Sequence, residues 1–329
     1  MKLITTKANL SAAMKQAVKV ANPKASMPIL QHVAINFDSE NCTITANDSL
    51  RTYSATFAAT GESGKCTIEA DKLARAVNGM KSGDIEITPD QIKQGRSKLK
   101  LESRNYDDFP QPDYAESDDA GITAEALSDA IRTVQHAMAT KDVRPMLNGV
   151  HLCQGYAVAT DGHRMAVVDL AYTGPDIIIP SESIRSIIEL DGSVKVSDRQ
   201  IIIESETTRF SSNLIESKYP DWQRVVPKDF EATATLNADD FLSAIKTVQL
   251  GGDQARLTFA DGQLLIKNDK AEAVVDCGDD PVAETGFNLQ YLADAIQASG
   301  KSEITMQIGS GARGSSLIDG RFTVMPVRI

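Results

Sequence analysis

Apolar residues recur at helical spacing in six places along this chain, and the six fall into two series. In the first, Leu10, Ala13, Met14, Ala17 and Val18 follow the i, i+3, i+4, i+7, i+8 template; Leu127, Ala130, Ile131 and Val134 repeat it, as do Phe241, Ala244, Ile245 and Val248. In the second, Leu73, Ala76, Val77 and Met80 are matched by Ile184, Ile187 and Ile188, then by Leu292, Ala295 and Ile296. The starts lie 117 and 114 residues apart in the first series and 111 and 108 apart in the second. Two helices recurring at a near-constant interval predict three copies of one domain, over 1–116, 117–229 and 230–329. Ala130-Ile131-Arg132-Thr133-Val134-Gln135 and Ala244-Ile245-Lys246-Thr247-Val248-Gln249 are nearly the same peptide. A closing echo joins Leu101-Glu102-Ser103-Arg104 to Ile215-Glu216-Ser217-Lys218 and to Ile318-Asp319-Gly320-Arg321. The third copy is the shortest.

Between the helices the period changes to two. Asn41–Ala46 alternates, and so does Ser97–Glu102, where Leu99 and Leu101 share one face. Asp261-Gly262 separates two apolar runs, a hairpin signal because Gly accepts the positive φ of a type I′ turn. Val194–Val196 and Ile201–Ile203 flank Ser197-Asp198-Arg199 in the same way. Connections this short force antiparallel pairing. The predicted fold class is therefore α+β, each copy carrying two helices on antiparallel sheet. Glu116-Ser117-Asp118-Asp119 and Lys228-Asp229 read as linkers.

Composition narrows the function. The 329 residues are 42% hydrophobic and 24% charged, ordinary for a globular protein. No apolar run approaches the ~20 residues that span a bilayer, and Met1-Lys2-Leu3-Ile4-Thr5-Thr6-Lys7 turns polar too soon for a signal peptide. Cys42, Cys66, Cys153 and Cys277 are far apart, as expected of reduced thiols in a cytoplasmic protein without a zinc site. The net charge of −11 argues against bulk attraction to nucleic acid, and it divides as +1, −6 and −6 over the three copies. Yet Lys15, Arg132 and Lys246 occupy one register of the first helix in each copy, with Lys19 and His136 one turn on. Such a face would attract phosphates without reading bases.

The centre of the chain holds Ala159-Thr160-Asp161-Gly162-His163-Arg164-Met165-Ala166. Asp161 and His163 suit a metal site or a base-and-orienter pair. Asp161-Gly162 between the strand-like runs Tyr156–Thr160 and Arg164–Val168 also suits a hairpin with the turn chemistry of Asp261-Gly262. His32, His136 and His151 fall in no ligand spacing, and no phosphate loop or nucleophile elbow is present.

Arg144-Pro145-Met146-Leu147-Asn148-Gly149 followed by Ala159–Ala166 resembles the middle domain of the bacterial DNA polymerase sliding clamps, the beta subunits of DNA polymerase III. Asn213–Pro227 resembles that domain's closing segment, Val324-Met325-Pro326-Val327-Arg328-Ile329 the family's C-terminus, and Ser26-Met27-Pro28-Ile29-Leu30 the end of its first helical segment. The resemblance implies a DNA-clamp fold, with two protomers of three domains joined head to tail in a ring. Helices would line the hole, sheets would form the outer wall, and Phe109 and Leu250 would lie at the dimer interface. It implies a processivity factor that encircles duplex DNA without sequence preference and has no catalytic site or cofactor. Lys15, Lys19, Lys24, Lys72, Arg132, Lys141 and Lys246 would face the DNA; Pro145 and Met146 stand where members often carry aromatic residues near it. The family's partners are replicative and repair polymerases, held by a short extended peptide with a Gln and large apolar residues, and an ATP-dependent clamp loader. The implied peptide groove comprises Leu147, Thr160, Gly162, His163, Arg164, Met165, Pro220, Arg224, Val225, Thr323, Met325, Pro326, Val327 and Arg328. Thr323 is more polar than the aliphatic residue expected there. Two alternatives stand beside this expectation: a three-domain interaction scaffold that never encircles DNA, and a metal-dependent phosphoesterase using Asp161 and His163.

Overall fold

The computed structural model describes residues 1–310 and 314–329. Among them are six α-helices: α1 (Lys7–Val20), α2 (Ala70–Gly79), α3 (Ala124–Val134), α4 (Ser181–Ile187), α5 (Ala238–Gln249) and α6 (Leu289–Ser299). They occupy the six apolar-periodic segments. Their starts follow from local chemistry. Thr6 caps α1 by accepting from the Asn9 N–H, Asn237 caps α5 by accepting from Asp240, and Asn288 caps α6 by accepting from Gln290 and Tyr291. Each cap satisfies an otherwise orphan donor and contributes about 1 kcal/mol. Gly300 ends α6 at φ 66, a left-handed conformation that costs glycine little. Leu10, Leu73, Leu127, Ile184, Phe241 and Leu292, the first apolar anchors, are all buried.

The chain divides into two compact units, one of residues 1–125 and 182–214 and the other of 126–181 and 215–329. The first holds two antiparallel sheets. In the five-stranded one the order is Thr60–Glu62, Lys2–Thr6, Asp84–Thr88, Gln91–Gln94, Ser97–Lys100. The eight-stranded one runs Asp118–Thr123, Ser193–Val196, Gln200–Glu204, Thr208–Asn213, Arg51–Ala58, Asn41–Asn47, His32–Phe37, Gly64–Glu69. The second unit repeats the scheme. Its eight-stranded sheet runs Ile177–Pro180, Gly149–Cys153, Tyr156–Thr160, Arg164–Asp169, Phe322–Val324, Ser316–Ile318, Glu303–Gly309, Phe230–Asn237. Its four-stranded sheet runs Glu272–Asp276, Gln263–Lys267, Gln254–Ala260, Ala283–Asn288.

Each large sheet is continuous across two of the predicted copies. Phe210 stands opposite Tyr53 in one, and Met165 opposite Thr323 in the other. The middle copy therefore contributes to both units. Fully buried aromatics anchor the cores: Phe37 and Phe210 in the first unit, Phe241, Phe259, Phe287 and Phe322 in the second. Each such side chain contributes about 1.5–3 kcal/mol of transfer free energy.

Several local expectations need correction. Asp118 and Asp119 are not linker: they open a strand and stand opposite Val196 and Lys195. Leu99 and Leu101 do not share a buried strand face, because the strand ends at Lys100, Leu99 is 40% exposed and Leu101 is buried beyond it. The closing echo is structural only in its first two members. Leu101–Arg104 and Ile215–Lys218 follow strands in irregular backbone, whereas Asp319 (φ 50) and Gly320 (φ 68) form the turn of a hairpin.

Candidate functional site

Tyr156–Thr160 and Arg164–Asp169 pair with Thr160 opposite Met165 as the last rung, leaving Asp161, Gly162 and His163 in the loop. The turn is not the type I′ turn seen at Asp261 (φ 52) and Gly262 (φ 71), since only Gly162, at φ 91, is left-handed here. Asp161 organises the loop through its side chain. Its Oδ1 accepts from the backbone N–H groups of His163 (2.8 Å) and Arg164 (3.0 Å), and its Oδ2 from Arg164 Nε at 3.1 Å. Thr160 Oγ1 accepts from the Gly162 N–H at 3.1 Å and donates to the Arg164 carbonyl at 2.6 Å. The Asp161 carboxylate is thus committed to its own loop, and no cluster of three metal-binding side chains forms among the described residues.

Arg164 is held from three sides. Besides Asp161, its Nη1 lies 2.5 Å from Asp294 Oδ2 on α6, and its guanidinium sits over the Tyr291 ring at 4.3 Å. With only 13% of the side chain exposed, it acts as a cross-brace. The pairing of Arg164–Asp169 with Phe322–Val324 then brings the chain's last residues alongside the loop, and the Met325 N–H donates to the His163 carbonyl at 2.9 Å.

Between these strands and the segment after Ile215 lies a cavity of about 390 Å³, within the ~300–1,000 Å³ usual for binding sites. It is lined by Leu147, Thr160, Gly162, His163, Arg164, Met165, Pro220, Val225, Thr323 and Met325, all expected, together with Arg144 and Ser315, which were not. Leu147, Met165 and Thr323 are its buried floor; Val225 and Met325 are exposed walls. Arg144 lies on the polar side. Its Nε and Nη2 bond the two oxygens of Asp142 at 2.9 Å each, which holds that carboxyl down at about 2. A Cβ at position 162 would approach the Arg144 guanidinium to 3.2 Å, so glycine there gives the arginine room. The result is an apolar floor with donors at one edge, suited to two or three large side chains of an extended peptide and to its carbonyls.

Four expected groove residues are not part of this cavity's lining. Arg224 is exposed and pairs with Asp221 at 2.7 Å. Pro326 lines no part of the groove. The Val327 N–H donates to the Gly286 carbonyl, and Val327 and Arg328 line a separate cavity of about 380 Å³ with Arg256, Glu284, Thr285, Gly286 and Ile329. The tail turns away after Met325 because its backbone bonds change partner from the His163 loop to Gly286. Of the residues missed, Arg144 opens the Arg144–Gly149 run and was within reach of sequence reasoning. Ser315, Tyr291 and Asp294 gave no local signal.

The basic positions are dispersed over both units. In the first, Lys15 and Lys19 on α1 share one counter-ion, with Nζ atoms 3.0 and 2.6 Å from the two oxygens of Glu189. Their hydrogen bonds hold Glu189 below the usual carboxylate range. Lys24 is exposed and Lys72, on α2, is half-buried. In the second unit Arg132, Lys141 and Lys246 are exposed. Arg132 Nε donates to Ser128 Oγ at 3.3 Å, and Lys141 sits at φ 58. His136 does not extend this face. It packs on Phe322, with ring centroids 5.6 Å apart; neither ring nitrogen has a partner among the described residues, and burial lowers its pKa to about 4. Phe109 is 2% exposed and packs on Ile29, Leu30 and Ala34, so it belongs to the core and offers no surface to a partner. Leu250 is 90% exposed.

A repeated α+β chain whose groove is built from a strand pair, and whose acidic residue braces a loop, is a binding protein. Comparison with known proteins says which kind. The N-terminal, central and C-terminal domain profiles of the DNA polymerase III beta subunit match residues 1–113, 121–221 and 223–321. Beta sliding clamps of Haemophilus influenzae and Proteus mirabilis are 24% and 26% identical over 367 and 370 aligned residues, with the whole of each chain covered. The DNA polymerase sliding clamp of Pseudomonas aeruginosa has the same fold at a TM-score of 0.89 and 24% identity. So does the Helicobacter pylori beta clamp bound to a DNA ligase peptide, at 0.89 and 21%; each match covers both chains completely. The chain belongs to the DNA polymerase III beta subunit family, the beta sliding clamps, and is a processivity subunit rather than an enzyme. None of its described helices is long and apolar enough to cross a membrane.

Proposed function

We propose that two copies of this chain, each of three domains (1–116, 117–229 and 230–329), close into a ring that encircles duplex DNA in the cytoplasm. The ring slides, and it tethers replicative and repair polymerases through short peptides seated in the groove around Met165, Thr323 and Met325. The groove carries this reading. Its apolar floor, its polar edge at Arg144 and His163 and its length along a strand pair suit an extended peptide, the kind of ligand named for the Helicobacter pylori clamp.

Ring closure draws support from two sheet edges of opposite charge that have no outer partner strand among the described residues. Ser97–Lys100 is an edge strand with Lys98 and Lys100, and Glu272–Asp276 is one with Glu272, an exposed Val274 and Asp276. An unpaired edge is a template for another strand, and opposite charges set which edge meets which. Leu250 adds exposed apolar surface. Lys24, Arg132, Lys141 and Lys246 face the DNA, joined by Lys15 and Lys19 at reduced net charge because of Glu189; Lys72 contributes less. An ATP-dependent loader opens the ring.

The test is to load the protein onto nicked circular DNA with its loader and ATP and then to linearise the circle. A sliding ring runs off the ends and is lost from the DNA. Retention on the linear product would defeat the ring, and failure to load at all would favour a scaffold that never encircles DNA.

A further inference from the structure

A second cavity lies beside the groove and shares a residue with it. Thr323 lines both, and from there a space of about 220 Å³ extends between Tyr156, Val167, Trp222, Val226 and Leu317, with Asp169 and Arg321 also on its lining. The register explains the continuity. Met165, Val167 and Asp169 alternate along one face of their strand; Thr323 stands opposite Met165, Tyr156 opposite Asp169, and Leu317 opposite Thr323. The groove takes the Met165 end of this face and the second cavity takes the Val167–Asp169 end. One chain segment walls both, giving Pro220 and Val225 to the groove and Trp222 and Val226 to the cavity.

The cavity's chemistry is specific. Trp222 and Tyr156 meet edge to face with centroids 5.3 Å apart, and both are only half-buried, as are Val167 and Val226. Asp169 is exposed and makes no ion pair among the described residues, whereas Arg321 is turned aside to the Ser299 carbonyl at 3.2 Å. The volume falls below the ~300–1,000 Å³ of small-molecule sites and suits one large side chain.

We propose that this cavity is a further subsite for the groove's own peptide ligands, taking a large apolar or aromatic side chain from the residues flanking the core motif, with a neighbouring Lys or Arg against Asp169. The proposal rests on the groove reading above. Continuity at Thr323 makes one chain the natural occupant of both, because the second contact becomes intramolecular once the first has formed.

Three synthetic probes test it on the full-length protein by isothermal titration: Gln-Leu-Ser-Leu-Phe, and the same peptide extended through Gly-Gly by Phe-Lys at either its N- or its C-terminus. One extended probe should bind about tenfold tighter than the core, the increment of one well-placed contact, and should shift the emission of Trp222, the chain's single tryptophan, beyond the core's own effect. Asp169→Lys should remove most of that gain and leave the core peptide's affinity unchanged. Equal affinities for all three probes, or a gain untouched by Asp169→Lys, overturns the subsite while leaving the groove intact. Failure of the core peptide to bind defeats the groove reading and this proposal with it.

Discussion

Met165 and Thr323 stand directly opposite one another on adjacent antiparallel strands, although nearly half the chain separates them. Both are nearly inaccessible, and both floor the groove. The pairing also carries Met325 to the His163 carbonyl, so the groove is completed by the end of the chain.

Removing Met325–Ile329 should therefore empty one wall of the groove while sparing the Phe322–Val324 strand. Binding of the core peptide should weaken more than tenfold, and gel filtration should still show the dimer. Loss of the dimer would mean that the tail serves assembly.

Arg164 is the brace beneath the groove. Arg164→Ala leaves Asp294 and Asp161 without their partner in a partly buried setting and should cost about 3 kcal/mol in urea unfolding. Arg164→Lys should recover little of this, because an ammonium cannot reach both carboxylates and stack on Tyr291 as the planar fork does.

His136 gives a pH dependence of known sign. Its pKa is about 4 in the folded chain, against an ordinary histidine value of 6.5, because burial disfavours the charged ring. Between these values the unfolded chain binds the extra proton, so stability falls as pH drops from about 6.5 towards 4, by up to about 3 kcal/mol for this residue. His136→Leu should flatten the slope of urea stability over that window and leave it unchanged above pH 7. An unaltered slope would place the effect elsewhere, with His32 and His151, also lowered by burial, the next to test.

Glu189 moderates the charge of α1. Glu189→Gln releases Lys15 and Lys19 from their shared counter-ion and should tighten duplex binding at low salt. The slope of log K against log salt should steepen by about 0.9, the value for one additional phosphate contact. Fluorescence anisotropy across a salt series reads it directly.

Leu250, 90% exposed, can be altered without touching the core. Leu250→Asp should shift sedimentation towards monomer with little change in unfolding temperature. A dimer of unchanged stability would exclude this residue from the interface.

The sequence by itself determined the six helices, the threefold repeat and a minority of the strands, chiefly those that flank recognisable turns. These depend on local facts: apolar period, capping residues such as Asn237 and Asn288, and left-handed glycines such as Gly300. Ten residues that line the cavity around Met165 and Thr323 were also named, through the resemblance of whole motifs rather than through their individual chemistry. Tertiary structure alone decided what each residue meets across a sheet or between elements. Arg164 became a brace because Asp294 and Tyr291 on α6 meet it, and Phe109 became core because Ile29 and Leu30 cover it. Lys15 and Lys19 acquired a counter-ion from beyond α4, and Val327 bonds to Gly286 and lines a different cavity from Met325. Periodicity fixes which side of an element is apolar, but the partner on that side is set by pairing between distant strands, and distant pairing leaves no local pattern.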